Sequence, residues 1–212
     1  MMICDQNMVI RVIENMADLI AEKKDFLTEL DSKIGDGDHG INMNRGFVAV
    51  RSKLGGVRER SIGSILKTVG MTLVSTVGGA SGPLYGTAFM YAGNEVGEKN
   101  ELSFEDVVAL SEAALAGIIK RGRAEVGDKT MVDTVYPVVE YLRSVKLQRT
   151  VLTNLAKGVT ETARRGMHST KALMARKGRA SFLKERSIGH LDPGAVSSYF
   201  LTCAVTDEAP EL

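Results

Sequence analysis

Hydrophobic positions recur at intervals of three and four through most of this chain, and that period predicts helices. Val9, Val12, Ile13, Met16, Leu19, Ile20, Leu27 and Leu30 form one apolar stripe over residues 7–30. The stripe gives way to a turn-rich stretch from Gly35 to Gly40, after which Met43, Phe47 and Val50 mark a second helical face over 41–50. The acidic residues of the turn are therefore expected in a loop caught between two helices. Ile62, Ile65, Leu66, Val69 and Leu73 predict a third helix. It runs into the small-residue stretch Gly78 to Pro83, and the helical pattern resumes from Leu84 to Tyr91.

Capping signals extend the reading. Ser103 and Asp106 have the spacing of a capping box, with Asp in place of Glu, ahead of Val107, Leu110, Ala114, Leu115 and Ile118. Thr130 and Asp133 repeat that spacing ahead of Val135, Val138, Val139 and Leu142, with Pro137 either within the first turn or at a kink. Leu147, Val151, Leu152, Leu155 and Val159 predict a helix over 147–163, and Thr170, Leu173 and Met174 continue the pattern over 169–176. Asp192, Pro193 and Gly194 read as an N-cap with proline at the first helical position, leading into Val196, Tyr199, Phe200 and Cys203. The pattern predicts about eight helices and no alternating run that demands a sheet, so the expected fold is all-α, a barrel or bundle of antiparallel helices. At 212 residues, one domain over 1–212 is expected.

Composition narrows the function. Lys and Arg number 27 against 26 Asp and Glu, which gives no positive field to gather nucleic acid. Apolar residues make up 44% of the chain without an apolar run long enough to span a membrane, and the N-terminus lacks a signal-peptide pattern. A cytoplasmic protein with neither nucleic-acid binding nor membrane insertion is expected. Cys4 and Cys203 form no spaced cluster and are expected to be reduced thiols.

Asp31, Asp36 and Asp38 lie close in sequence among Gly35, Gly37 and Gly40. Glycine lets the chain turn back, so the three carboxylates can converge, and converging carboxylates repel unless a cation sits between them. A hard, oxygen-preferring cation such as magnesium suits them. A solvated Asp-Gly turn linking two helices would read the same way. An EF-hand does not fit, because the twelfth position counted from Asp36 is Phe47 and the sixth is Ile41. His39 could donate to a phosphate or act as an acid or base. His168 and His190 have no zinc-ligand spacing with it.

Further anion contacts are expected at Gly78 to Gly82, which places Ala80 and Ser81 among glycines but lacks the Lys of a P-loop. Close helix packing through small residues would explain the same stretch. The loop from Gly127 to Met131 is equally ambiguous. Arg179, Lys184 and Arg186 could neutralise phosphate, and Asp192 could cap its helix or meet a base or ribose.

Taken together, LDSKIGDGDHGINM, GGASGPLYGT, GDKTMVD and GRASFLKERSIGHLDPGA closely resemble the nucleotide-binding L subunits of phosphotransferase-dependent dihydroxyacetone kinases, in order and over essentially the whole chain. The resemblance implies a barrel of eight helices with the nucleotide site in loops at one end. It implies that Asp31, Asp36 and Asp38 bind two magnesium ions bridging to the diphosphate of ADP or ATP. His39, Gly40, Ile41, Asn42, Ala80 and Ser81 would line the phosphate side. Gly122, Met131, Arg179, Asp192, Pro193 and Gly194 would surround ribose and adenine. It further implies that bound ADP is recharged by a phosphocarrier subunit of the phosphotransferase system and that the phosphoryl group passes to dihydroxyacetone on a separate substrate subunit, which carries any catalytic base. Relatives acting on other short sugars commonly have Thr after the last Asp of the loop, so His39 favours dihydroxyacetone. Another small ketose or polyol as acceptor is the alternative. A nucleotide sensor contacting a transcription regulator is the non-catalytic alternative, and a homodimer is a further partner class.

Overall fold

The computed structural model describes residues 2–145 and 152–208, so Leu147 and Val151 of the expected 147–163 helix lie outside the described residues. Among the described residues there are nine α-helices, and the chain is all-α as expected. A small antiparallel pair is the one departure: β1 (Met2–Asp5) lies against β2 (Glu101–Ser103), with Cys4 opposite Leu102 and Asp5 opposite Glu101. Strands of four and three residues are too short to show a period of two, so the sequence pattern passes over them.

The chain forms two compact units, one from Met1–Asp18 with Asn42–Arg123 and the other from Leu19–Ile41 with Ala124–Leu212. Two helices run from one unit into the other along the chain, α1 (Gln6–Glu22) and α3 (His39–Leu54).

The first unit is built around α4 (Ile62–Thr76), α5 (Ser81–Val96) and α6 (Phe104–Gly122). Glycine decides how α4 and α5 meet. A Cβ on Gly63 would lie 2.1 Å from the Gly97 carbonyl oxygen, and one on Gly70 would lie 2.6 Å from that of Gly86. Because Gly63 faces the end of α5 and Gly70 faces its middle, the two helices are antiparallel, and they approach so closely that backbone touches backbone. Gly117 of α6 lies against Thr87 and Tyr91, and Gly122 against Leu84, which makes α5 and α6 antiparallel as well. Ile62, Leu66, Ala92, Val96 and Leu102 form the core between them, with Cys4 of β1 packed on it. The Ser103 and Asp106 capping box is present on α6 with both of its bonds.

The second unit contains α2 (Lys24–Ile34), α7 (Val132–Ser144), α8 (Leu152–Ser169) and α9 (Pro193–Thr206). The continuous helix expected over 7–30 is instead α1 and α2, broken at Lys23 (φ −90°, ψ 4°). No glycine or proline marks the break, and the hydrophobic period continues through it. Helix α2 also runs on to Ile34, so Asp31 stands on its last turn and not in the loop. Gly158 lies beneath the Tyr141 ring and Gly166 against the backbone of Asp133 and Thr134, so α7 and α8 pack antiparallel. Met131, not Thr130, is the N-cap of α7 and makes no side-chain cap, yet Asp133 still accepts from the Thr130 N–H at 2.8 Å. Pro137 sits inside α7, beyond its first turn. The helical continuation expected over 169–176 is only a 3-10 turn at Thr170–Ala172, and a second 3-10 segment spans Arg179–Ser187. Asp192 caps α9 through the Ala195 N–H at 2.7 Å, with Pro193 opening the helix.

Candidate functional site: an acidic loop at the start of α3

The carboxylates of Asp31, Asp36 and Asp38 converge, each offering an oxygen within 4.8 Å of the others. Local backbone chemistry brings them there. Asp31 Oδ2 accepts the N–H of Asp38 at 2.9 Å and of His39 at 3.2 Å, so the last turn of α2 caps the first turn of α3 across the loop. A Cβ on Gly35 would stand 2.0 Å from Asp31 Oδ1, which excludes any side chain there. Gly37 has φ +71°, a left-handed conformation that L side chains rarely adopt. Gly40 brings α3 onto α2, where a Cβ would lie 1.9 Å from the Lys24 carbonyl oxygen.

Three hard oxygen donors without a soft ligand suit a small divalent cation such as magnesium. Arg179 adds one positive charge, its Nε lying 2.7 Å from Asp36 Oδ2. Arg179, which the resemblance assigns to ribose and adenine, thus stands at the acidic loop.

His39 is buried, with Nε2 2.9 Å from Ser197 Oγ and a hydrogen bond to the backbone of Pro193. Burial pushes its pKa below the ordinary value, against the opposing pull of Asp31 and Asp38. The ring therefore ties the acidic loop to the start of α9. Ile41, by contrast, is exposed.

At α9, a Cβ on Gly194 would lie 3.7 Å from Met131, which brings Met131, Asp192, Pro193 and Gly194 together. Beneath them Lys129 is fully buried and donates to the carbonyl oxygens of Thr170 at 2.6 Å and His190 at 2.5 Å. The Asp192 N–H donates to Thr170 Oγ1 at 3.1 Å.

Asn42, Ala80, Ser81 and Gly122 belong to the first unit. Asn42 is buried and its Oδ1 accepts from Arg45 at 2.7 Å, while Arg45 Nε also donates to the Thr76 carbonyl oxygen at 2.9 Å. A Cβ on Gly78 would meet Asn42 Oδ1 at 3.0 Å. Arg45 therefore fastens Asn42 to the glycine-rich stretch. That stretch also serves close packing, since a Cβ on Gly82 would lie 2.3 Å from the Val77 carbonyl oxygen. Gly122 touches Leu84 in the first turn of α5.

Residues 33–207 match the DAK2 domain. An ADP-binding DhaL subunit of PEP-dependent dihydroxyacetone kinase from Escherichia coli is 45% identical over 193 residues, which cover 91% of this chain and 92% of that protein. A counterpart from Listeria innocua is 44% identical over 197 residues, 93% of each chain. The chain belongs to the DhaL group of the DAK2 domain family. The structure of the dihydroxyacetone kinase from C. freundii in complex with AMP-PNP and Mg2+ has the same fold, with a TM-score of 0.72 at 22% identity over 97% of this chain and 34% of that one. Membership places this DAK2 chain among kinase subunits of the phosphotransferase class. Among the described residues, none of its helices is long and apolar enough to cross a membrane.

Sequence reasoning passed over two residues that organise this DAK2 chain, Lys129 and Ser197. The Gly127–Asp128 pair ahead of Lys129 signals a turn, but the positive φ of the lysine (61°) and the burial of its ammonium are known only from the structure. Ser197 is one of several small polar residues on α9 and carries no signal of its own.

Burial pushes the Asp192 carboxyl up to about 7, ahead of the opposing pull of the Ala195 N–H and Lys129. In the unfolded chain the group titrates near its ordinary value, so between there and pH 7 the folded state holds more protons. Stability contributed by the neutral carboxyl is thus full below that window and lost as pH rises through it, a change on the order of 2–4 kcal/mol. Asp192→Asn keeps a capping oxygen and is expected to flatten this slope in metal-free urea titrations from pH 4 to 8. An unaltered slope would show that Asp192 is not its source.

Proposed function

We propose that the chain is the nucleotide-holding subunit of a dihydroxyacetone kinase, with Asp31, Asp36 and Asp38 gripping two magnesium ions that engage the diphosphate of ADP or ATP. The convergence of three carboxylate oxygens at one loop carries this reading. When bound, magnesium would neutralise phosphate charge. The residues themselves supply alignment: Asp31 locks the loop to α3, and His39 fixes it to α9. Arg179, at Asp36, lies where a guanidinium can offer its charge to a phosphate oxygen. His39, Gly40, Ile41, Asn42, Ala80 and Ser81 are assigned to the phosphate side. Gly122, Met131, Asp192, Pro193 and Gly194 are assigned to ribose and adenine, and α9 presents its N-terminal end there.

The relatives' names place them in PEP-dependent dihydroxyacetone kinases as ADP-binding subunits. On that pattern a phosphocarrier subunit recharges the bound ADP, and a substrate subunit holding dihydroxyacetone receives the phosphoryl group, in the cytoplasm. The whole chain serves as a single nucleotide-binding domain. A transcription regulator and a second copy of the chain are further partners to assay.

Denaturing the purified protein and identifying the released nucleotide tests the first half. ADP or ATP near one equivalent is expected, and none after purification in excess magnesium and nucleotide would refute retention. Mixing the chain with phosphocarrier and substrate subunits tests the second half. Dihydroxyacetone phosphate is expected only when all three are present, and equal or faster use of another short ketose would reassign the acceptor.

A further inference from the structure

Between residues 171 and 190 stand six Lys or Arg against a single Glu, in a chain whose total charge is only +1. Within that stretch Phe182 is 83% exposed, more than any other large hydrophobic residue among those described, and Met174 and Ile188 of the same stretch are also exposed. A single surface apolar residue needs no explanation, but an aromatic set among Arg and Lys has the composition of a protein contact surface.

The segment is firmly held. Ala180 is buried with Ile34 and Ala175, and Leu183 packs on the same cluster. Ser187 is fully buried and accepts from the Ala175 N–H at 2.9 Å while donating to the Lys184 carbonyl oxygen at 2.5 Å. The Gly189 N–H reaches the Lys171 carbonyl oxygen at 2.8 Å. Lys184 adopts φ 51°, a left-handed turn inside the 3-10 segment. Phe182 is thus offered to solvent from a preorganised platform, so little ordering is needed when a partner covers it.

Building on the proposed function, two proteins must reach the nucleotide in turn, and they differ in charge. The donor arrives with the phosphoryl group on its own side chain, which adds roughly −2 to its docking face. The acceptor offers a neutral sugar. We propose that residues 174–188, with Phe182 as the apolar anchor and Arg176, Lys177, Lys184 and Arg186 as the basic rim, form the docking surface for the phosphorylated, acidic face of the phosphocarrier subunit. The rim sets the approach and Phe182 sets the residence time. Discharge of the carrier removes the added negative charge and speeds its release.

The test measures binding of purified phosphocarrier to the full chain with ADP and magnesium, by association and dissociation kinetics over a range of salt. Lys184→Glu with Arg186→Glu is expected to slow association about tenfold at low salt and to flatten its salt dependence. Phe182→Ser is expected to speed dissociation roughly tenfold or more. All these side chains are exposed, so circular dichroism of every variant, and magnesium-dependent ADP binding of Phe182→Ser, should match the unsubstituted chain. Unchanged carrier kinetics in the variants would overturn the proposal. So would loss confined to the substrate subunit, or equal loss of ADP binding, which would assign the segment to the nucleotide instead. Failure of the unsubstituted chain to bind nucleotide at all would count against the proposed function and not against this surface.

Discussion

Replacing Asp36 and Asp38 together by Asn is expected to lower phosphoryl transfer by about three orders of magnitude or more, with helix content unchanged. Metal-assisted charge neutralisation supplies several kcal/mol to such a transfer, and each ~1.4 kcal/mol is tenfold in rate. Both carboxylates are exposed, so no core contact is lost with them. Asp31 is left in place because it also holds the N–H groups of Asp38 and His39, and its removal would confuse metal loss with loop collapse. The double variant should lose magnesium-dependent ADP binding in calorimetry while its metal-free thermal transition stays nearly put, since relief of the repulsion between two carboxylates is offset by loss of the exposed Arg179–Asp36 ion pair. Magnesium-dependent retention of nucleotide equal to that of the unsubstituted chain would remove the metal assignment.

Lys129→Met is expected to be the most damaging single change to stability, costing roughly 3–5 kcal/mol. Lys129 has no exposed surface, and its ammonium donates to two carbonyl oxygens, of Thr170 and His190. Methionine keeps the shape of the stem and removes one donor from each of the Thr170 and His190 carbonyl oxygens, the first of which keeps only the Leu173 N–H at 3.2 Å, and it leaves Asp192 without its nearby cation. Burial pushes the lysine pKa down while Asp192 and Asp133 push it back up, so the residues depend on one another. Amide exchange should quicken at Gly189 and Asp192, whose N–H groups are held by the 170–171 segment. A change below about 1 kcal/mol, with protection at those amides intact, would show that the surrounding backbone relaxes without the lysine.

Much of the site was legible without coordinates because its elements are local. Asp31, Asp36 and Asp38 are separated by glycines whose need is steric and conformational, at Gly35 and Gly37, and a short loop can converge its own carboxylates. Asp192 before Pro193 signals a helix start for equally local reasons, and it caps α9 as read. The break at Lys23 was not legible, because the apolar stripe continues across it and no residue type marks the turn. Helical continuation over 169–176 was read from period alone, whereas the backbone there turns to meet Lys129.

The sequence by itself determined an all-helical chain, the places of most helix starts, and an acidic glycine turn suited to a hard cation, since each depends on residues within a few positions of one another. Only the tertiary structure decided which distant groups serve that turn. His39 finds Ser197, Arg179 finds Asp36, and Lys129 joins Thr170 to His190. Such pairings satisfy buried or converging polar groups whose partners are set by how helices pack, and packing distance has no counterpart in distance along the chain.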